Sequence, residues 1–317
     1  MTTRPLVDPE LVALLDQLPS IELNEAIIKQ VRTMTQTQRF SDLPSFPGIE
    51  VTEHFVPGPE GAPEVRVLLY QPTTEIRPVP ALLWMHGGGY VMGSPEQEDL
   101  MVKKVVSVLG CVAVSVGYRL APETHHPGPV EDCYAALQWL HTHTSKLGVD
   151  PARIALVGSS AGGGLAAALG LLARDRGEIP LAFQLLIAPM LDDRTCIMAE
   201  PHPYTGEFIW TREANRFGWT SLLGQEPGGP DVSPYAAAAR AEDLEGLPPT
   251  FINVGALDLF LEEDLEFARR LTRAGVPTEF HIYPGAYHGF RMVADAQVTQ
   301  IAARDQLTAL KRALRIQ

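Results

Sequence analysis

Two serines stand between glycines in the segment VGSSAGGG, residues 157–164, but only one fits a Gly-x-Ser-x-Gly spacing. Gly158 and Gly162 bracket Ser160, whereas Ser159 would need glycines at positions 157 and 161. An apolar run precedes the segment and an alanine-rich run follows it, which is the strand–turn–helix context of a nucleophile elbow. The pattern predicts Ser160 as a nucleophile on a tight turn, above a helix N-terminus that favours developing negative charge.

Glycine-rich segments also bind phosphates, and the residues after the last glycine bear on that alternative. A P-loop needs Lys followed by Ser or Thr there, whereas Leu165 and Ala166 occupy those positions. The G-x-G-x-x-G spacing of a dinucleotide site does not occur in the segment. An ordinary strand-to-helix loop remains an alternative, because the serine pattern also arises by chance.

A second glycine run, HGGGY at residues 86–90, directly follows the apolar run ALLWM. Glycines at the carboxyl end of a strand can turn backbone N–H groups toward a ligand without obstruction from side chains. Acyl transfer needs two or three such donors at the oxygen that becomes negative. A structural turn is the alternative, although three consecutive glycines lose more conformational entropy on folding than an ordinary turn requires. His86 is better explained as an anchor of this loop than as a base.

A serine nucleophile needs a base and an acid that orients the base. His288, in PGAYHGF, lies just after the last predicted strand, and Asp258 lies just after the predicted strand FINVGAL. The carboxyl ends of parallel strands share one edge of a sheet, so both side chains are expected near Ser160. The chain order Ser160, Asp258, His288 is the order of the α/β-hydrolase triad.

Other acids and histidines are weaker candidates for these two roles. Asp192 follows the preceding predicted strand and is the one serious alternative to Asp258, while His281 lies inside a predicted strand. The acids on the helix after Asp258 are expected to face solvent: Glu262, Glu263 and Asp264. Solvated imidazoles, and hence no metal site, are expected at the remaining loop and helix-end histidines: His125, His126, His141 and His143.

The elements that must position these residues form an alternating pattern of strands and helices. Two alternating runs, 49–55 and 64–71, predict an initial antiparallel pair. Nearly continuous apolar runs predict strands covered on both faces at 81–86, 112–118, 153–158, 182–188, 250–256 and 279–283. Helices are predicted between and after them, at 94–110, 130–147, 161–175, 259–274 and 294–314. Ser94 is expected to open the first in a capping box and Gly110 to close it.

This alternation predicts an α/β fold with a mostly parallel sheet of about eight strands flanked by helices. The predicted core comprises residues 46–193 and 225–317. Residues 1–45 and 194–224 are helix-like but do not fit the alternation, so they are expected to fold over one end as a helical cap.

Composition and charge exclude several classes of function. The 317 residues carry a formal net charge of −13, which argues against nucleic acid or an anionic membrane as a partner. No uncharged apolar run approaches the roughly 20 residues that span a bilayer, and acids interrupt the N-terminal region where a secretion signal would be apolar. Three cysteines without C-x-x-C spacing disfavour a disulfide scaffold or a cysteine zinc site. A cytoplasmic protein without metal or organic cofactor is expected.

The ordered motifs together resemble the hormone-sensitive-lipase-type carboxylesterases of the α/β-hydrolase superfamily, from about residue 45 to the C-terminus. The motifs are HGGGY, YRLAPE at 118–123, HPGP at 126–129 before Asp132, GSSAGG, DVSPY at 231–235 and HGF at 288–290. Two positions depart from the family pattern. Ser159 replaces the usual aspartate or threonine before the nucleophile, and LFLE follows Asp258 where the family often has PLRD.

The resemblance implies the α/β-hydrolase fold with a helical cap, and it implies a role for each matching residue. Ser160 would be the nucleophile, His288 the base and Asp258 its partner. The N–H groups of Gly88, Gly89 and Ala161 would form the oxyanion hole, and His86 would brace the glycine loop.

A serine carboxylesterase acting on small esters with short to medium acyl chains is therefore expected. Two alternatives remain: a non-catalytic ligand-binding module that keeps the hydrolase shell, and a hydrolase of an amide, lactone or carbamate. Members of the family often form homodimers through the last strand of the sheet, which predicts pairing through residues 279–283 here.

Overall fold

The computed structural model describes residues 2–17, 23–35, 39–74 and 78–316. The described residues form one sheet of eight strands in the order β1-β2-β4-β3-β5-β6-β7-β8. Strand β2 runs antiparallel to β1 and β4, and every other neighbouring pair is parallel. The strands are β1 Ile49–Val56, β2 Val65–Pro72, β3 Val79–Met85, β4 Val112–Gly117, β5 Val149–Ser159, β6 Phe183–Ile187, β7 Thr250–Gly255 and β8 Thr278–Tyr283. The predicted α/β-hydrolase sheet is confirmed.

Burial explains why some strands are continuously apolar in sequence while others alternate apolar and polar residues. Every residue of β3, β6 and β7 is buried, as expected for parallel strands with helices on both faces. The outer strand β1 alternates exposed and half-buried residues, and β8 forms the opposite edge of the sheet with most of its residues half-buried. The predicted edge position of the last strand is therefore correct.

Nine helices accompany this sheet in the ranges that the structure describes. They are α1 Val12–Gln17, α2 Glu25–Thr35, α3 Asp99–Leu109, α4 Gly128–Thr142, α5 Thr144–Leu147, α6 Ala161–Arg176, α7 Arg212–Leu223, α8 Leu261–Arg273 and α9 Gln297–Ala313. The predicted capping box at Ser94 is wrong: its side chain makes no capping bond, and Pro95–Glu98 form a 3₁₀ turn before α3 begins. This turn is closed through the backbone, by Gln97 N–H donating to the Ser94 carbonyl. Gly110 does end α3, in the left-handed conformation with φ 60°.

The two segments predicted as a cap contact one another. Helices α1 and α2 lie in residues 1–45, and α7 lies in residues 194–224. Positions 1, 18–22 and 36–38 of the first segment lie outside the described residues. The Thr3 hydroxyl donates to a carboxylate oxygen of Glu207 at 2.6 Å, which joins the N-terminal segment to the second one. The apolar side chains of Leu11, Trp210 and Trp219 are buried rather than exposed.

Candidate active site

Ser160 lies on a strained turn between β5 and α6. Its φ of 54° and ψ of −122° are a combination that a residue with a side chain rarely adopts. The flanking glycines permit the turn, because a β-carbon on Gly158 would lie 2.0 Å from the Gly162 carbonyl oxygen. A β-carbon on Gly162 would lie 2.2 Å from the carbonyl oxygen of Met85. The Gly-x-Ser-x-Gly spacing therefore has a steric cause, and the predicted elbow geometry is present.

His288 lies between Asp258 and Ser160. Its Nδ1 is 2.8 Å from Oδ2 of Asp258, and its Nε2 is 3.0 Å from Oγ of Ser160. Asp258 is 1% exposed and His288 8%, so water has little access to either side chain. The second carboxylate oxygen of Asp258 accepts from the N–H of Phe260 at 3.0 Å, which fixes the carboxylate orientation. His288 is 128 positions from Ser160 and 30 from Asp258 in the chain, yet its side chain lies within hydrogen-bond reach of both.

The loops that carry the acid and the histidine are bonded to one another and to the N-terminal segment. The Leu257 N–H donates to the Ala286 carbonyl at 2.9 Å, which joins the loops after β7 and β8. The Tyr287 hydroxyl donates to the Leu11 carbonyl at 2.9 Å. Asp8 N–H donates to the Gly285 carbonyl at 3.0 Å. The residues just before His288 are therefore hydrogen-bonded both to the loop that carries Asp258 and to the N-terminal segment.

The glycine loop after β3 lies beside the serine. A β-carbon on Gly87 would lie 3.5 Å from Cβ of Ser160. Gly88 and Gly89 have φ values of 122° and 59°, which L-residues with side chains rarely adopt. Ala161 is the first residue of α6, so its N–H is at the helix N-terminus directly after Ser160. The glycine loop and the N-terminus of α6 thus lie at the same end of the sheet as the hydroxyl, because β3 and β5 are parallel neighbours.

His86 contacts the glycine loop and the side chain of Tyr118. Its Nδ1 lies 2.7 Å from the Gly87 carbonyl oxygen, and its ring stacks on that of Tyr118 with centroids 4.2 Å apart. Burial lowers the pKa of His86, although the hydrogen bond to Gly87 opposes this shift. A neutral ring therefore donates from Nδ1. The Tyr118 hydroxyl donates to the His86 carbonyl at 2.7 Å and completes the bracing.

Two aromatic side chains that sequence reasoning did not assign to the site surround His288. The Phe260 ring meets the imidazole edge-on with centroids 5.1 Å apart, and the Trp210 centroid lies 6.2 Å away. Trp210 is buried, and its Nε1 donates to Oδ1 of Asn215 at 3.1 Å. The sequence signal for Phe260 is its position two residues after Asp258. Trp210 lies in the 194–224 segment, where no periodic pattern indicates what each residue contacts.

The competing residues Asp192 and His281 pair with other side chains. Asp192 forms a two-point ion pair with Arg194, with N–O distances of 2.8 and 2.7 Å. His281 pairs with Glu279 at 2.8 Å on β8. Neither Asp192 nor His281 makes a hydrogen bond to the histidine or the serine described above.

The acids after Asp258 require a correction. Glu262 is exposed as expected, but Glu263 and Asp264 are buried, at 7% and 0% exposure. They lie one turn before Phe267 and Ala268, on the face of α8 that packs against the sheet. Glu263 accepts the Leu191 N–H at 2.7 Å, whereas both carboxylate oxygens of Asp264 lack a hydrogen-bond partner. The helical spacing back from Phe267 and Ala268 is the signal that could have identified this burial.

The described residues also bear on metal binding and on membrane insertion. No cluster of three or more His, Cys, Asp or Glu side chains suited to a metal ion occurs among them. None of the helices in the described ranges has the length and apolar character needed to cross a membrane.

The chain is similar to known esterases over nearly its whole length. A family model for the α/β-hydrolase fold matches residues 82–292. Carboxylesterase NlhH of Mycobacterium tuberculosis is 33% identical in a match covering 98% of this chain and 97% of that protein. The ethyl acetate hydrolase of Pseudomonas putida is 30% identical over 66% of this chain and 65% of its own. Among solved structures, a bacterial heroin esterase is 44% identical, with a TM-score of 0.92 over 99% of this chain and 100% of its own.

The matches to NlhH and to the heroin esterase cover nearly the full length of this chain and of each relative. The chain belongs to the hormone-sensitive-lipase-type carboxylesterases of the α/β-hydrolase superfamily, and it is a carboxylic ester hydrolase.

Proposed function

We propose that Ser160 attacks the carbonyl carbon of a short- to medium-chain carboxylic ester, with His288 as general base and Asp258 as the partner of the base. The observation that carries this proposal is the position of the imidazole, 2.8 Å from the carboxylate and 3.0 Å from the hydroxyl. Both distances are within hydrogen-bond reach, as a nucleophile, its base and the orienting acid require. A non-catalytic binding module would have no need for this arrangement.

The reaction follows from these positions. With its proton on Nδ1, the imidazole donates to Asp258 and accepts from the Ser160 hydroxyl at Nε2. As the hydroxyl attacks, Nε2 takes its proton, and the carboxylate stabilises the imidazolium that forms. The imidazolium then protonates the departing alcohol, which leaves an acyl-enzyme. A water molecule repeats the sequence and releases the acid.

The N–H groups of Gly88, Gly89 and Ala161 are assigned to the oxyanion. The first two lie on the loop whose glycine conformations turn the backbone beside Ser160, and the third opens α6. The partial positive charge of a helix N-terminus adds to the stabilisation of the negative oxygen. Removing one such donor costs on the order of 100- to 1,000-fold in turnover in comparable sites.

The proposed preference for short acyl chains rests on the aromatic side chain of Trp210 beside the site. Trp210 is 5% exposed and packs against Gly89, so it limits the space next to the proposed oxyanion hole. One relative is named for its action on ethyl acetate, an ester of a two-carbon acid. Amides, lactones and carbamates share the tetrahedral chemistry, and a panel of such compounds would distinguish them from esters.

Replacement of Ser160 tests the assignment. We expect Ser160→Ala to lower kcat on nitrophenyl acetate and butyrate by several orders of magnitude, because the nucleophile is lost. Ser145→Ala is the matched control, because Ser145 is exposed on α5 and should leave turnover unchanged. Thermal unfolding of both variants checks that they are folded. Wild-type turnover in folded Ser160→Ala would overturn the proposal.

Three further proposals concern the setting of this activity. Residues 1–45 and 194–224 act as the cap over a hydrolase core of residues 46–193 and 225–317, supported by the bond between Thr3 and Glu207. Homodimers form through the edge strand β8, where Ile282 is 43% exposed. The protein acts in the cytoplasm, which its three free cysteines support, because disulfides are rare in a reducing compartment.

A further inference from the structure

The carboxylate of Glu98 contacts three segments around the site: the end of strand β5, the glycine loop and the loop that carries His288. Its Oε1 accepts the Ser159 hydroxyl at 2.8 Å and the Arg291 guanidinium, while its other oxygen accepts from the Trp84 indole. The Gly87 N–H approaches the same Oε1 at 3.5 Å, the outer limit for a hydrogen bond. One carboxylate therefore contacts the residue before the nucleophile, the residue before Gly88 and a residue of the histidine loop.

Arg291 makes two of these connections at once. Its Nη2 donates to the Ser159 hydroxyl oxygen at 2.9 Å as well as to Glu98. It lies in the 3₁₀ turn Phe290–Met292, three residues after His288. Because Ser159 directly precedes Ser160, this contact ties the histidine loop to the nucleophile strand only one residue from the hydroxyl.

Glu98 and Ser159 are buried, so the carboxylate depends on its protein partners. Glu98 is 7% exposed and Ser159 3%, while the Arg291 side chain is 29% exposed. Burial by itself disfavours the charged carboxylate, but the charge of Arg291 and the hydrogen bonds from Trp84, Ser159 and Arg291 together lower the pKa of Glu98. A buried charge needs its partners, so the ionised carboxylate holds the arginine and the serine in fixed positions.

None of these groups has a role in the proposed reaction, although they contact its loops. Neither Glu98 nor Arg291 contacts Ser160, Asp258 or His288 through a hydrogen bond in the described residues. They reach the site only through the backbone of their loops. Their effect should therefore be on the relative placement of the hydroxyl and the imidazole rather than on substrate contacts.

We propose that Glu98, Arg291 and Ser159 form a positioning network that sets the distance between the Ser160 hydroxyl and His288. The inference rests on the proposed function of Ser160 and His288. Acylation and deacylation both pass a proton through this pair, so the network affects both steps. A misplacement of about 1 Å can cost on the order of 100-fold in rate. Loss of the network should thus lower kcat and leave KM nearly unchanged.

Arg291→Met tests the proposal, with Arg291→Lys as the conservative variant and Lys103→Met as the matched control. Lys103 forms a buried ion pair with Asp99 on α3 at 2.7 Å, but this pair contacts neither the nucleophile strand nor the histidine loop. Both methionine variants remove a cation from a buried carboxylate. We expect Arg291→Met to lower kcat on nitrophenyl acetate by about 10- to 100-fold. Arg291→Lys should recover part of this loss, and Lys103→Met should lower the melting temperature with kcat unchanged.

A nitrophenyl phosphonate supplies a second readout and separates this inference from the proposed function. The rate at which it modifies Ser160 should fall in Arg291→Met in proportion to kcat, at a temperature where every variant is folded. Equal labelling rates in wild type and Arg291→Met, or equal losses of kcat in Arg291→Met and Lys103→Met, would overturn the network. Failure of wild type to be labelled at Ser160 would instead overturn the proposed nucleophile. If Arg291→Met does not fold, Ser159→Ala and Arg291→Lys decide, with slower labelling expected in both and unchanged labelling in both as the contrary result.

Discussion

The indole ring of Trp210 packs directly over the backbone of Gly89. A β-carbon on Gly89 would lie 2.1 Å from Cη2 of the indole, so only glycine fits at position 89 beside this tryptophan. The same ring lies near His288, with centroids 6.2 Å apart. The side chain thus occupies space that an ester substrate could otherwise use beside the proposed oxyanion loop.

Trp210→Ala should widen the acyl preference. Removing the ring leaves room for more methylene groups, and each methylene group contributes to discrimination between substrates. We expect the ratio of kcat/KM for nitrophenyl octanoate to that for nitrophenyl acetate to rise by about tenfold. Trp139→Ala is the control. Trp139 lies on helix α4 and stacks on His143, just past the end of that helix, so its replacement should leave the ratio unchanged. An unchanged ratio in folded Trp210→Ala would place the acyl chain elsewhere.

Asp258 and Asp192 both follow strands, but only Asp258 is paired with the histidine. Asp258→Asn should lower kcat by about 1,000- to 10,000-fold, because an amide no longer stabilises the imidazolium or its tautomer. Asp192→Asn removes an acid that pairs with Arg194 instead, so kcat should change by no more than a few-fold. Steady-state assays of the two variants give the comparison. A larger loss in Asp192→Asn would reverse the assignment of the acid.

Asp264 should make stability depend on pH. Its burial, together with the charges of Glu263 and Asp258, raises the pKa of the folded carboxyl well above its usual value. The folded chain therefore keeps a proton that the unfolded chain loses above about pH 4. Folding then takes up a proton, and the free energy of unfolding falls as pH rises, by up to about 1.4 kcal/mol per pH unit.

Asp264→Asn removes this proton uptake while keeping the shape of the side chain. The stability of the variant relative to wild type should rise steadily with pH, as measured by urea unfolding between pH 5 and 8. Glu262→Gln, an exposed neighbour on the same helix, should give a profile parallel to wild type. A constant difference between Asp264→Asn and wild type across this range would show that the carboxyl is already ionised when folded.

The two edges of the sheet present one exposed apolar side chain each, which allows a matched test of the dimer. Ile282 on β8 is 43% exposed, and Phe55 on β1 is 58% exposed. If dimers form through β8, Ile282→Lys should sediment as a monomer at micromolar concentration, because a charge would be buried in the interface. Phe55→Lys should remain dimeric. A monomeric wild type, or dissociation only by Phe55→Lys, contradicts pairing through β8.

Much of the fold is predictable because the central strands are buried on both faces. The continuous apolar runs LLWM and FINV correspond to β3 and β7, whose residues are all buried. Local patterns did not determine how α3 begins. Glu98 ends the 3₁₀ turn that precedes α3, and its side chain bonds to Ser159, 61 positions later. A contact over that distance has no local sequence signal, and Ser94 makes no capping bond at the start of this turn.

The same distinction applies to the site. Ser160 follows from a steric rule, since only glycines fit at positions 158 and 162, and the strand ends place Asp258 and His288. The burial of Asp264 follows from helical spacing that was available in the sequence. The contact of Arg291 with Glu98 joins residues 193 positions apart and depends on the folded loops, so it could not be read from either segment.

The most direct test of the account is the identity of the nucleophile. Wild-type protein should be inactivated by a nitrophenyl phosphonate with one equivalent of nitrophenol released, and peptide mass mapping should locate the adduct on Ser160. Ser159, one residue away, should remain unmodified. Covalent attachment to any other residue, or full ester turnover after Ser160 is modified, would contradict the account.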